Sequence, residues 1–183
     1  MCHVDLAMRT ANSRRRQLVL LGIKPDRAES GYGWMEPAGS LCEGSTLLRV
    51  TRFWEKPPKP VVRRLWQRGC LWNSFVMAGT ARAFITMIYR ALPELKATVA
   101  RMWPAMETPD EDQAMKVAYA DLPCRDFAGD VLAHNTSDLA IVPVEGLYWN
   151  DLGDSRGVYE TLARMQIRPG WMTQRTEHQP LYC

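Results

Sequence analysis

Short apolar runs alternate with stretches of helical period along most of the chain. Gln17 to Ile23 (QLVLLGI) is a continuous apolar run stopped by Pro25, the pattern of a strand buried on both faces of a layered sheet. Leu47 to Trp54 predicts a second strand, rich in β-branched and aromatic residues and ended by Pro57 and Pro58. Cys70 to Ala78 predicts a third and Asp138 to Val144 a fourth, in which Pro143 indicates an edge position or a bulge. Helices separate them. Pro60 to Arg68 carries proline in its first turn, Leu65 and Trp66 for an inner face, and Gly69 as a stop. Thr80 can cap a helix in which Phe84, Met87, Ile88 and Ala91 recur at helical spacing. Glu94 to Met102 and Asp110 to Ala120 predict two more, the second capped by Asp110, and Ser155 to Met165 a last one capped by Asp154 or Ser155. Strands alternating with helices imply an α/β layered sheet. Val4, Leu6 and Met8 read as the end of an internal helix, so missing sequence upstream of Met1 is expected. The tail from residue 169 is expected to be loosely ordered.

Composition narrows the class. The 183 residues are 46% hydrophobic and 23% charged, which fits one ordinary globular domain over residues 1–168. A chain of this length can bury roughly 70% of its unfolded surface without staples. The five cysteines (Cys2, Cys42, Cys70, Cys124, Cys183) are scattered and form no CxxC, which argues against a disulfide framework or zinc site and for a reducing, cytoplasmic setting. The apolar runs are far shorter than the ~20 residues of a membrane span, and no signal peptide is seen, so no membrane partner is expected. Lysine and arginine number 23 against 20 acidic residues, an excess that suits anionic ligands without demanding nucleic acid.

Four polar constellations interrupt the apolar pattern. Ser30-Gly31-Tyr32-Gly33-Trp34 places two glycines around an aromatic, either as a tight turn or as a place where backbone approaches a ligand. Glu55-Lys56-Pro57 stands directly after a strand. There a carboxylate for hydroxyls and an ammonium for a phosphate can flank one pocket, or a solvated ion pair can close the strand. Asn73 puts an amide inside an apolar strand, where it must find partners in protein or ligand. Trp149 to Asp154 (WNDLGD) joins the fourth strand to the last helix. Asp154 or Ser155 can serve as its cap, leaving Asp151 as an oxygen ligand for Mg²⁺ bound to phosphates. His3, His134 and His178 lack the neighbours of a triad or metal site. Arg14-Arg15-Arg16 reads first as a solvated face.

In this order, LGIKPDRAESGYGWMEP, RFWEKPP, LWNSFVM and YWNDLGD resemble the sugar-1-phosphate nucleotidyltransferases, and most closely the mannose-1-phosphate guanylyltransferase branch. The resemblance covers residues 20 to 154. It implies a Rossmann-like, GT-A-like mixed sheet, N-terminally truncated, and an enzyme that joins a sugar 1-phosphate to a nucleoside triphosphate with release of pyrophosphate. Mannose 1-phosphate, GTP and the cofactor Mg²⁺ are the favoured ligands, and a homo-oligomer is compatible with it. Carried over by motif, Gly31 and Gly33 lie along the sugar, Glu55 accepts from its hydroxyls, and Lys56 holds its phosphate. Asn73 lines the sugar pocket, and Asp151 is one of two acidic Mg²⁺ ligands.

The chain departs from the pattern at Phe75, where many members carry glycine after Asn-Ser. A larger departure is that the family's glycine-rich signature, G-x-G-x-R-L-x-P, does not occur in these 183 residues, nor does the other metal-binding aspartate. Weak activity, exposed apolar sheet edges and marginal stability are therefore expected. The alternative is a non-catalytic paralogue that binds sugar phosphate or a partner.

Overall fold

The computed structural model describes residues 2–173. Its elements in chain order are α1 (His3–Ser13), β1 (Leu18–Ile23), β2 (Trp34–Ser40), β3 (Leu48–Trp54), α2 (Lys59–Gln67) and β4 (Leu71–Ala78). There follow α3 (Ala81–Ala91), α4 (Pro93–Met102), α5 (Glu111–Asp121), a π-helical turn (Phe127–Leu132), β5 (Leu139–Val144), α6 (Ser155–Arg164) and the short α7 (Gly170–Thr173). The chain divides into two compact units, residues 1–147 and 148–183.

In the first unit, the alternation of strands and helices forms the expected mixed sheet. β1 runs parallel to β5, while the β1–β4, β4–β2, β2–β3 and β3–β5 pairs are antiparallel. The strands close into a ring in the order β1-β4-β2-β3-β5. The expected open edges are therefore not found, because β5 meets β3 through Ile141↔Leu48 and Ala140↔Arg49 and gives every strand two neighbours. Pro143, which cannot donate to a ladder, lies beyond that pairing, beside Gly22 of β1.

All six residues of β1 except Gly22 are buried hydrophobics, as a run apolar on both faces requires. Leu18, Leu20, Met35, Phe53, Leu71 and Ile141 join one core with Met87 of α3 and with Val131 and Leu132 of the π-helical turn. A methyl group on Gly22 would lie 2.6 Å from Ile141 Cγ2 and 2.9 Å from Leu71 Cδ1, so the strands approach here only because that side chain is absent.

Local signals place most helices. Thr80 caps α3 by accepting from the Ala83 amide at 3.1 Å, and Gly69, with φ 73°, ends the α2 segment. Two expectations are corrected. Val62 and Leu65, not Trp66, form the inner face of α2; Trp66 is 44% exposed. Asp110 does not cap α5, because its own backbone is already helical (φ −90°, ψ −1°) and its carboxylate accepts no capping bond. β2 is an element the apolar pattern did not predict.

In the second unit, Asp154 caps α6 by accepting from the Gly157 amide at 2.7 Å. Of the tail expected to be loosely ordered, residues 170–173 form the turn of α7, and residues 174–183, with His178 and Cys183, lie outside the described residues. Among the described residues, no helix is long and apolar enough to cross a membrane.

Candidate functional site

The loop from β1 to β2 is held by Arg27. Its guanidinium lies 5.2 Å from the Trp72 ring centroid and 5.7 Å from that of Tyr32, donates to Tyr32 Oη at 3.1 Å, and pairs with Asp26 and Glu29. Trp34 Nε1 donates to the Glu29 carbonyl at 2.8 Å. The two glycines of the motif then differ. Gly31 donates its amide to Glu29 Oε1 at 3.0 Å and serves the turn. Gly33 marks a close approach: a methyl group there would lie 2.9 Å from Glu55 Oε2 and 3.3 Å from both Asn73 Cβ and Phe53 Cζ. Its carbonyl accepts from the Asn73 amide at 2.8 Å.

Glu55 follows β3, with its side chain 24% exposed. Burial and then the charge of Asp126 push its carboxyl above the usual range, against the opposing pull of Lys56. Lys56 turns the chain with φ 43°, and its Nζ lies 3.8 Å from Glu55 Oε1 while most of the side chain remains in solvent. The left-handed turn brings the adjacent carboxylate and ammonium to one side of the chain.

Asn73 is 6% exposed within β4 and sits at the start of a bulge. Between the Leu20↔Met77 and Gly22↔Asn73 pairs, β4 takes four steps while β1 takes two, and Phe75 adopts φ 60°. Asn73 Oδ1 accepts from the Phe75 amide at 3.1 Å. Ser74 Oγ donates to the Leu21 carbonyl at 2.8 Å and accepts from the Val76 amide at 3.2 Å. The Asn-Ser pair thus satisfies the backbone that the bulge frees, and the left-handed residue that follows accounts for glycine being at home at that position. Asn73 Nδ2 has no protein partner among the described residues.

Sequence reading missed one contributor. Asp126 Oδ2 accepts from the Gly129 amide at 2.6 Å and caps the π-helical turn, whose Gly129 faces Glu55. The roughly 70 positions between them in sequence leave no periodic signal, and only the fold brings them together. The first unit therefore gathers Gly33, Glu55 and Asn73, with Lys56 at the rim and Asp126 behind. A carboxylate, an amide donor and an ammonium suit a hydroxylated, anionic ligand, and need no side-chain nucleophile.

Asp151 belongs to the second unit. Its Oδ1 accepts from the Gly153 amide at 3.1 Å, and a side chain on Gly157 would collide with its carbonyl. Asn150 Nδ2 ties the same loop to the Gly157 carbonyl at 2.9 Å and to Thr161 Oγ1 at 3.1 Å. Asp154 takes the capping role expected of it or Ser155, while Asp151 holds the glycine turn. Among the described residues, no group of three or more His, Cys, Asp or Glu could hold a metal. Mg²⁺ commonly takes only one or two carboxylates beside substrate phosphates, and an exposed Asp151 on a tight glycine turn fits one such ligand.

A family model described as Nucleotidyl transferase matches residues 3–166. The xanthan biosynthesis protein XanB of Xanthomonas campestris pv. campestris (strain B100) is 28% identical over 145 residues, 78% of this chain and 30% of that protein. The mannose-1-phosphate guanylyltransferase ManC of Salmonella typhimurium is 26% identical over 152 residues, 80% of this chain and 31% of that protein. Among solved structures, one described as mannose-1-phosphate geranyltransferase from Thermus thermophilus superposes with a TM-score of 0.62 at 23% identity. That superposition covers 77% of this chain and 38% of the other. The chain spans less than a third of the length of these curated relatives.

Proposed function

Because the chain belongs to the nucleotidyl transferase family, we propose that it acts on a sugar 1-phosphate, mannose 1-phosphate favoured, in transfer from a nucleoside triphosphate, GTP favoured, with release of pyrophosphate. One observation carries this reading: because buried Gly33 has no side chain, Glu55 and Asn73 both close on it, which brings a carboxylate acceptor and an amide donor for sugar hydroxyls to one place. Glu55 accepts from sugar hydroxyls, Asn73 Nδ2 donates to them, and Gly31 and Gly33 border the ring. Lys56, at the rim, holds the sugar's phosphate and orients its oxygen for in-line attack on the α-phosphorus.

The rate of such a transfer depends on positioning and on charge neutralisation. Asp151 would hold Mg²⁺, which would supply charge neutralisation to phosphates bound to it. Burial, and after it the charge of Asp126 acting through Glu55, keeps that carboxyl basic enough to accept strongly. A cytoplasmic setting, where thiols stay reduced, accompanies this reading.

A second reading follows from the Glu55–Lys56 pair, which can bind a hydroxylated anion without taking part in any reaction. In it the chain binds sugar phosphate or a partner without catalysis. Calorimetry with mannose 1-phosphate and with GTP tests the shared premise. Binding of mannose 1-phosphate that is lost in Lys56→Ala supports it, and absence of sugar-phosphate binding removes both readings. Measurable release of pyrophosphate from GTP then separates enzyme from binding module.

A further inference from the structure

A second concave site lies in the first unit, at the other end of the strand ring. Arg15, Arg16, Arg82, Thr86, Arg90 and Asp138 line a cavity of about 400 Å³ floored by Ala83 and Met87. Arg15 and Arg16 precede β1, Asp138 precedes the parallel β5, and Arg82 follows the antiparallel β4, so all enter from the end where β1 begins. Gly33, Glu55 and Asn73 gather where β1 ends, about 20 Å away for six strand residues. The two sites are distinct.

Three features describe its chemistry. Four guanidiniums face one carboxylate, which is already engaged by Arg90 at 2.6 Å, so an excess of three positive charges surrounds one concavity. Arg82, Thr86 and Arg90 recur every fourth residue along one stripe of α3, with Ala83 and Met87 buried beside them. Thr80 Oγ1 donates to the Arg15 carbonyl at 3.0 Å, fixing the arginine loop against the start of α3, where a helix favours negative charge. Arg82 therefore places a cation in the first turn of a helix that has no acidic residue there. The excess of guanidiniums and the cation at the start of α3 are unfavourable alone and become favourable around a bound anion.

We propose that this cavity binds a diphosphate group, either as free pyrophosphate or at the end of a nucleotide. A single phosphate monoester brings about two negative charges, so two linked phosphates match the excess. Guanidinium forks at Arg15, Arg16 and Arg82 supply the paired N–H donors that phosphate oxygens take. Thr86 adds a hydroxyl, and the volume leaves room beyond the phosphates.

The test is calorimetry of the 183-residue chain with pyrophosphate, GDP and orthophosphate at fixed ionic strength. Saturable pyrophosphate binding, tighter than that of orthophosphate, is expected. It should weaken at least tenfold in Arg15→Gln/Arg82→Gln and persist in Lys56→Ala. Tighter GDP than pyrophosphate binding assigns the diphosphate to a nucleotide, and the reverse to the free anion. Without ligand, the double variant is expected to melt at or above the parent temperature, because repelling charges have been removed. Absence of saturable binding, retention in the double variant, loss in Lys56→Ala, or a lower ligand-free melting temperature in the double variant would each overturn the proposal.

Discussion

Gly33 and Glu55 are packed so closely that a single methyl group on Gly33 would stand 2.9 Å from the carboxylate oxygen Oε2. The φ of Gly33 is not positive, so alanine meets only this steric conflict there. Gly33→Ala is expected to destabilise the fold by roughly 1–3 kcal/mol through overpacking against Glu55, Asn73 and Phe53, and to abolish sugar-phosphate binding. Gly31→Ala, whose nearest neighbour would be Glu29 Oε1 at 3.4 Å, should stay within about 0.5 kcal/mol of the parent. Urea denaturation of both variants checks the pair, and equal losses would contradict the distinction drawn between the two glycines.

The raised carboxyl of Glu55 makes both stability and binding depend on pH. Its protonated form is favoured in the fold, so its contribution is fully present below the ordinary glutamate value of about 4.3 and is lost as pH rises through the folded value. Glu55→Gln should therefore flatten the decline over that window and melt at or above the parent temperature at neutral pH. Hydroxyl donors favour the charged form, so affinity for mannose 1-phosphate should rise more steeply across the same window in the parent chain than in Glu55→Gln, where only ionisation of the ligand's own phosphate contributes. Thermal melts and calorimetry from about pH 4 to about pH 7 give both curves.

The β4 bulge separates two adjacent substitutions. Asn73→Ala removes the acceptor for the Phe75 amide from a buried position and is expected to cost about 1–2 kcal/mol. Phe75→Gly relieves a left-handed phenylalanine while losing its edge contact with Phe127, whose ring centroid is 6.3 Å away, so its net effect should remain within about 1 kcal/mol. A larger loss for Phe75→Gly than for Asn73→Ala would remove the explanation of the bulge.

Thiol reactivity should divide by position. Burial pushes the Cys70 thiol up to about 11, whereas Cys2, Cys42 and Cys124 are exposed. In a Cys183→Ser background, three thiols are expected to react with a disulfide reagent under native conditions and a fourth only after unfolding. Rapid native reaction at Cys70 would show that the strand it precedes opens.

Much of the fold was legible because its signals are local. The four strands with continuous or β-branched apolar runs lie within a residue of their expected bounds, and Thr80, Gly69 and Asp154 terminate helices by chemistry readable from one position. β2 was not legible. Pro37, Gly39 and Ser40 carry no strand preference, and pairing of Trp34 with both Trp54 and Trp72 imposes the extended form from outside. At the candidate site, Glu55 and Lys56 were signalled by polarity at a strand's end, and Asn73 by an amide inside an apolar strand. Asp126 and the Arg27–Trp72 stack were not, since each depends on a partner more than 40 residues away. Arg15 and Arg16 read as a solvated face because α3, which supplies the other arginines, lies 65 residues further on.

The pairing of β1 with β5 also orders events during synthesis. β4 can pair with β1 first, but residue 18 must wait for residue 139 before its second neighbour exists, so the growing chain holds one open edge of apolar strand while more than a hundred further residues are added. Translation arrested anywhere before Val144 leaves a polypeptide whose first strand offers itself to whatever strand it meets, and chaperone capture of such nascent chains should end abruptly once that residue clears the ribosome.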